Sequence, residues 1–309
     1  MPLNKSTVIF IVGPTAIGKT SLALKLARRV NGEIISCDSM QIYKGMNILS
    51  QSPGSIQTGK TRYHMVRFTS PTKEYNIASF RNKAAILIDG IIERKKIPII
   101  AGGTGLYVKG LIDGLFPTPE ADLKFRKKSY DYASRYGSAR LHKKLEKIDP
   151  ESAKLIHPNN TKRIVRALEI RHSTGRTMTE LKRDTKGIAD RYRIKIFGLT
   201  KSREKIYSDI NNRVDKMFED GVIREVKRLS SKRLSRTAKA ALGLKELTDY
   251  LNGKTDLERA KDLMKQNTRR YAKRQFTWFR ADGRVRWFDT DKLSAGEIIK
   301  KIRIAAHLQ

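Results

Sequence analysis

The first apolar run, Ser6-Thr-Val-Ile-Phe-Ile-Val12, is short, rich in β-branched residues and closed by Gly13 and Pro14. It predicts a buried strand. Leu22, Leu24, Leu26 and Ala27 follow, and with Ser21 they predict a helix that opens near Gly18. Glu33-Ile-Ile-Ser-Cys37 predicts a second strand, ending at Asp38. Phe80, Ala84, Leu87, Ile88 and Ile91 recur at helical spacing, and Lys96-Ile-Pro-Ile-Ile-Ala101 then predicts a third buried strand. Strand–helix alternation of this kind implies a parallel sheet joined by right-handed crossovers.

After Gly114 the pattern changes. Pro117-Thr-Pro119 reads as a linker, and the chain to about Thr185 is helical and basic without a good strand. Arg193-Ile-Lys-Ile-Phe-Gly-Leu199 predicts the return of the sheet. Ile206, Ile210, Val214 and Met217 share one face of a long helix that is expected to continue through Val222, Val226 and Leu229. Arg284-Val-Arg-Trp-Phe288 predicts a last strand. The expected organisation is an α/β core formed by residues 1–118 and 192–309, with a helical insertion at 119–191.

Charge sharpens this picture. The 309 residues hold 65 Lys and Arg against 31 Asp and Glu, a net charge of +34. Residues 1–120 contribute 16 and 7 of these, so most of the excess lies beyond them. A polyanionic partner is expected, nucleic acid first, against the alternative of a merely solvated basic surface. The lone Cys37 excludes a disulfide framework and a zinc site built from several thiolates. Val8 to Val12 is too short for a membrane span or a signal-peptide core, so no membrane partner and a cytoplasmic setting are expected.

The chemistry begins at Gly13-Pro14-Thr15-Ala16-Ile17-Gly18-Lys19-Thr20, which fits G-x-x-x-x-G-K-[ST] between a strand and a helix. Such a nucleotide-binding loop, of the kind that holds ATP, turns its N–H groups toward a phosphate. The helix start adds partial positive charge, the lysine a point charge, and the threonine hydroxyl a ligand for Mg²⁺. A nucleotide hydrolase usually adds an acidic residue at the end of a strand. Asp89 fits a solvated helix position better, whereas Asp38 ends a strand at the edge where α/β sheets carry their chemistry. Asp38 also suits a helix or turn cap. No Asn-Lys-x-Asp guanine-reading segment is present.

Basic and aromatic residues interleave later. Thr268 to Arg280 places five cations among four aromatics on a predicted helix, with Tyr271, Gln275 and Trp278 near one face. Such a surface neutralises phosphates while stacking or bonding an unstacked base, although a core helix with a solvated basic side has the same pattern. Lys162-Arg163-Ile-Val-Arg166 is a second basic helical patch.

Taken in order, GPTAIGKT (13–20), DSMQIYKGMNI (38–48), GGTGLYVKGLIDGL (102–115), HPNNTKRIVRALEI (157–170), RVDKMFEDGVIREVKRL (213–229) and AKRQFTWFR (272–280) resemble the tRNA dimethylallyltransferase family over nearly the whole chain. The absence of cysteines for a zinc finger matches the bacterial form. The resemblance implies a P-loop NTPase-like core with a mostly parallel sheet flanked by helices, plus a helical insertion that grips tRNA through extra positive charge. It implies transfer of dimethylallyl from its diphosphate to N6 of adenine 37, beside the tRNA anticodon, by a monomer that uses Mg²⁺ and no ATP.

By the same resemblance Thr15 bonds the bridging oxygen of the leaving group, and Lys19 and Arg213 neutralise its phosphates. Residues Gly13 to Thr20 cradle the diphosphate, Thr20 holds Mg²⁺, and Asp38 accepts a proton from the adenine amine. The implied tRNA contacts are Asp38, Ser39, Met40, Gln41, Thr104, Arg126, Lys162, Arg163, Arg166, residues 240–245 with Lys245, and Lys273, Arg274, Gln275, Trp278 and Arg280. Two segments depart from the family pattern. Ile48-Leu-Ser-Gln-Ser-Pro53 replaces Ile-Gly-Thr-Ala-Lys-Pro, and Gly243-Leu-Lys245 replaces Gly-Tyr-Arg, exchanging a planar fork for a point charge. The alternatives are an isopentenyltransferase acting on free adenine nucleotides, a nucleic-acid-binding P-loop kinase or NTPase, and a non-catalytic RNA-binding protein.

Overall fold

A computed structural model of the protein describes residues 5–54, 58–116 and 119–308. The chain divides into two compact units, residues 1–112 with 188–309, and residues 113–187. The first begins with β1 (Thr7–Val12), α1 (Lys19–Arg29), β2 (Gly32–Ser36), β3 (Tyr63–His64), α2 (Ile77–Glu93), β4 (Ile97–Gly102) and α3 (Gly105–Ile112). The second holds α4 (Leu123–Tyr136), α5 (Ser138–Ile148), α6 (Pro150–Leu155), α7 (Thr161–Thr174) and α8 (Met178–Arg183). The first resumes with β5 (Arg193–Thr200), α9 (Arg203–Glu219), α10 (Val222–Ser230), α11 (Leu244–Leu251), α12 (Leu257–Arg280), β6 (Val285–Asp289) and α13 (Ala295–Ala306).

The strands form a sheet in the order β3-β2-β4-β1-β5-β6, and every pairing is parallel. In β1 side chains alternate between faces. Ile9 and Ile11 pack with α1, Ile298 and Ile302, whereas Val8, Phe10 and Val12 pack with Phe80, Ala84 and Leu111. Burial on both faces explains the unbroken apolar run, since a parallel strand covered by helices has no solvent side. Order 4-1-5 around β1 puts the β1–α1 loop at the carboxyl edge of the sheet, where ligands bind in α/β folds.

A third apolar cluster, outside the sheet, joins Ile42, Tyr43, Met46 and Leu49 to α9, α10, α11 and Met264. The single long helix expected from Ile206 to Leu229 is two helices. Gly221, at φ 90°, takes a left-handed conformation that favours glycine and breaks α9 from α10. The α3 and α13 helices and the two-residue β3 had no counterpart in the expected pattern.

The second unit is helical, with its own core of Leu141, Leu145, Ile164, Val165 and Leu168. Its limits, 113 and 187, differ by a few residues from the expected 119 and 191. Residues 117 and 118 of the expected linker lie outside the described residues. The unit holds 18 Lys and Arg against 10 Asp and Glu, so the other unit, with 47 and 21, carries the larger share of the excess. The expected concentration of positive charge in the insertion is absent. Among the described residues no helix is long and apolar enough to cross a membrane.

Candidate active site

The loop from Gly13 leaves buried Val12 at the end of β1 and enters α1 at Lys19. Its geometry costs some backbone strain, since Ala16 stands at φ 65°, a region non-glycine residues seldom adopt. Lys19 folds back over the loop, and its Nζ donates to the Pro14 carbonyl at 2.6 Å. Burial, then the nearby Arg213 charge, push the Lys19 ammonium down to about 7, against the opposing pull of Asp38. Lysine, arginine and aspartate therefore feel one another in one site.

Arg213 reaches the loop from α9. Ile210, Val214 and Met217 bury that helix, and the arginine Nη1 donates to Thr15 Oγ1 at 3.1 Å. Burial lowers its pKa, partly offset by Asp209 and Asp38. The Thr15 N–H donates to Gln275 Oε1 at 2.8 Å, and Gln275 Nε2 donates to the Gly103 carbonyl at 2.8 Å. Gly103 is needed for this approach, because a Cβ there would lie 2.1 Å from Gln275 Nε2.

Asp38 follows β2. Its Oδ1 accepts the N–H groups of Met40 at 2.8 Å and Gln41 at 3.4 Å, the local turn that aspartate favours. Burial nevertheless raises its carboxyl pKa, outweighing those hydrogen bonds and the charges of Lys19 and Arg213. Thr104 Oγ1 accepts the Ser39 N–H at 3.2 Å, which ties the turn at Asp38 to the start of α3. Tyr271 stands beside Thr104, and Tyr63 beside Thr20. Burial raises both phenols, which stay neutral at physiological pH.

Thr15, Lys19, Asp38, Tyr63, Arg213 and Tyr271 line one cavity of about 760 Å³, while Gly103, Thr104 and Gln275 support it from outside the lining. Thr15 to Thr20, Asp38 and Arg213 supply polar groups to its lining, and Leu49, Val214, Met217 and Met264, which pack together, supply apolar ones with Leu242. Gly13 and Pro14 stand behind the lining. A cavity with a cationic loop, a basic carboxylate and an apolar wall suits an ester of diphosphate with a small hydrocarbon.

Other expected site residues are distributed differently. Lys273, Arg274 and Arg280 are exposed on α12, and Arg274 also reaches the cavity. Trp278 packs beside Gly105, where a Cβ would lie 2.2 Å from its ring. Gln275, expected on the tRNA surface, is buried, and both ends of its amide serve protein backbone. Gln41 is also buried, accepting from Ser36 Oγ at 2.8 Å. In the second unit Lys162 and Arg163 are exposed. Arg126 and Arg166 instead converge on Glu169, which is fully buried, with Arg126 gripping it through bonds of 2.8 and 2.9 Å. A buried carboxylate needs such partners, so those arginines organise the unit's interior. Lys245 is exposed and paired with Asp249. Asp89 is on a helix as expected but is bonded to Arg191 at 2.9 Å and to the Tyr192 hydroxyl.

Tyr63 lines the cavity without having been singled out in the sequence, whereas Met217 was expected only on an apolar helix face, Leu49 only in a departing segment and Leu242 only within the expected tRNA contacts at 240–245. Tyr271 carried a signal, its spacing with Gln275 and Trp278 on one helix face. Tyr63 carried none, and the periodicity of Met217 reported burial without reporting a cavity.

A parallel sheet with its phosphate loop at the first crossover and a carboxylate sharing that loop's cavity defines a P-loop NTPase-like α/β protein built to hold a polyphosphate ester. Residues 41–282 match the family model described as IPP transferase. A tRNA dimethylallyltransferase of Halothermothrix orenii is 47% identical over 300 residues, covering 96% of this chain and 90% of that protein. The corresponding protein of Carboxydothermus hydrogenoformans is 46% identical, covering 96% of each. The crystal structure of the tRNA isopentenylpyrophosphate transferase of Bacillus halodurans superposes with a TM-score of 0.72 at 40% identity, covering 97% of this chain and 95% of that one. A eukaryotic dimethylallyltransferase acting on tRNA superposes at 0.79 with 28% identity, covering 98% of this chain and 80% of that one. The chain belongs to the IPP transferase family.

Proposed function

We propose that the protein is a tRNA dimethylallyltransferase, transferring dimethylallyl from dimethylallyl diphosphate to N6 of adenine 37 in the tRNA anticodon loop. The observation that carries this reading is the shared cavity, where Asp38 lies with Lys19, Thr15 and Arg213. In the reaction the N6–C1 bond forms as the bond from C1 to the bridging diphosphate oxygen breaks. One N6 proton passes to the Asp38 carboxylate, which burial makes a stronger base than an ordinary aspartate. Diphosphate departs as an anion, with Lys19, Arg213 and the loop N–H groups meeting its developing charge. The target base leaves the anticodon stack to reach the carboxylate.

Magnesium fits the donor set. Among the described residues no cluster of three or more His, Cys, Asp and Glu forms a metal cage, and Thr20 offers a single hydroxyl at the loop. Mg²⁺ is commonly held this way, by few protein oxygens plus substrate phosphates and water. Thr20 would hold it, and it would supply charge to the leaving diphosphate.

The exposed cations of α12, with Lys162 and Arg163, supply phosphate contacts for tRNA. We take the enzyme to act as a monomer in the cytoplasm. The test is mass spectrometry of an unmodified anticodon stem-loop after incubation with the protein, Mg²⁺ and dimethylallyl diphosphate. The expected result is one added prenyl mass on the adenosine beside the anticodon. Turnover on free AMP would favour a free-nucleotide isopentenyltransferase, and tRNA-stimulated ATP hydrolysis a P-loop NTPase.

A further inference from the structure

Glu225 is an acidic residue buried to 3% exposure in the first turn of α10, and no cation pairs with it among the described residues. Its carboxylate instead accepts three successive backbone N–H groups. Oε2 takes those of Asn47 at 2.8 Å and Ile48 at 2.9 Å, and Oε1 takes that of Leu49 at 2.8 Å. These residues begin a single helical turn, closed by the Ser50 N–H donating to the Met46 carbonyl at 3.2 Å. The free N–H groups of such a turn attract an anion, and here the protein supplies its own. Charge-assisted bonds of this kind are about twice as strong as neutral ones, so the turn is pinned from a helix some 176 residues away in sequence.

What the turn carries gives the clamp a purpose. Leu49, whose own N–H is held, packs with Val214, Met217 and Met264 and lines the cavity. Ser50 and Gln51 line the cavity beside it. The Gln51 carbonyl accepts from Gln41 Nε2 at 3.3 Å, and the Gln41 N–H reaches Asp38 at 3.4 Å. One bonded path thus runs from Glu225 through the turn to the carboxylate at the reacting end. The polar side of the cavity belongs to diphosphate, which leaves the apolar wall for the hydrocarbon.

We propose that Glu225 is a positioning residue that fixes Leu49 as the stop for the prenyl chain, so that the clamp limits the donor to five carbons. The proposal rests on the prenyl-transfer reading above. Deleting side-chain volume at Leu49 opens space where the chain would extend, and releasing the turn lets the wall retreat. Discrimination by an apolar wall operates through such steric limits, at about tenfold or more per excluded increment.

The experiment compares kcat/KM for dimethylallyl and geranyl diphosphates with an unmodified anticodon stem-loop as acceptor, in wild type, Leu49→Ala, Glu225→Gln and Glu225→Asp. Thermal unfolding reports whether each variant folds. The expected result is a geranyl-to-dimethylallyl ratio raised by about tenfold or more in Leu49→Ala and in a folded Glu225 variant. A merely structural glutamate would lower both rates together and leave the ratio alone. An unmoved ratio in Leu49→Ala or in the folded Glu225 variants overturns the proposal, as does failure of both Glu225 variants to fold. Wild type inactive with dimethylallyl diphosphate would instead overturn the prenyl-transfer reading itself.

Discussion

Gln275 and Thr15, 260 positions apart in sequence, meet through a 2.8 Å hydrogen bond from the loop N–H to the amide oxygen. The other end of the same amide is donated to Gly103. The loop that receives the leaving group is therefore fastened to α12 and to the end of β4 at once. Gln275→Met keeps the side-chain volume but leaves a buried N–H and a buried carbonyl without a partner. That loss costs about 1–3 kcal/mol, and to the extent that it displaces the loop it lowers kcat/KM for dimethylallyl diphosphate by up to about 5–150-fold. Steady-state kinetics with saturating stem-loop measures it, and tRNA affinity by filter binding should stay unchanged because the residue is buried.

Asp38 is the proposed base, and Asp38→Ala should lower transfer by about 10²–10⁴-fold, the usual worth of a positioned base. Binding of tRNA should survive. Only the ionised carboxylate accepts a proton, so activity should rise with pH through the Asp38 pKa. Burial moves that limb above the ordinary aspartate range. A kcat/KM profile against pH checks this, and near-normal turnover in the alanine variant would exclude the assignment.

Lys19 connects binding to protons. In the free protein its pKa is lowered to about 7, and a bound diphosphate would raise it again. Binding above that pH therefore takes up a proton, and affinity should weaken as pH rises past about 7. Calorimetry in buffers of different ionisation enthalpy measures the uptake, which Lys19→Met should abolish together with tight binding. The same shift affects folding in the opposite sense. Between about 7 and the ordinary 10.5 the unfolded chain holds the proton more firmly, so the Lys19 contribution to stability improves as pH rises.

Glu33, fully buried on β2, is met by His64 at 2.8 Å, Arg94 at 2.8 Å, Lys96 at 3.1 Å and Arg62 at 3.9 Å. Bonds to Arg94, His64 and Lys96 overcome burial and hold its carboxyl down to about 2. A depressed carboxylate contributes its stability above the unfolded value of 4.5 and loses it as pH falls toward about 2. The contribution is up to about 3 kcal/mol, at 1.36 kcal/mol per pKa unit. Urea unfolding across that window should show a steeper acid loss in wild type than in Glu33→Gln.

The basic residues should divide by their partners. Lys162→Ala and Arg163→Ala, at exposed positions, should weaken tRNA binding and reduce its salt dependence by about one counterion each, with stability intact. Arg126→Ala should destabilise the helical unit instead, because Glu169 would lose its two-pronged partner in the interior. Salt titration of binding and thermal unfolding separate the two classes.

The strands and the loop were legible because their signals are local. The run from Val8 to Val12 reports burial on both faces, and the glycine spacing of residues 13–20 reports the backbone geometry a phosphate needs. Asp38 was legible as the residue that ends a strand at the sheet's carboxyl edge. The break at Gly221 was not, because the apolar stripe of α9 and α10 continues across it and a lone glycine is tolerated in many helices. A cation's spacing also does not reveal the buried Glu169 that holds both Arg126 and Arg166, so their part in the interior was not legible.

By itself the sequence determined the α/β alternation, the phosphate loop, the position of its carboxylate and the helical insertion. Each of these is written in periodicity or in contiguous residues whose backbone demands are met within a few positions. Only the tertiary structure decided that Gln275 fastens Thr15, that Glu225 holds the turn at Leu49, and that apolar side chains share one cavity with the loop. The first two join residues more than 170 positions apart. Burial decides them, because a buried polar group must find a partner wherever packing brings one within reach.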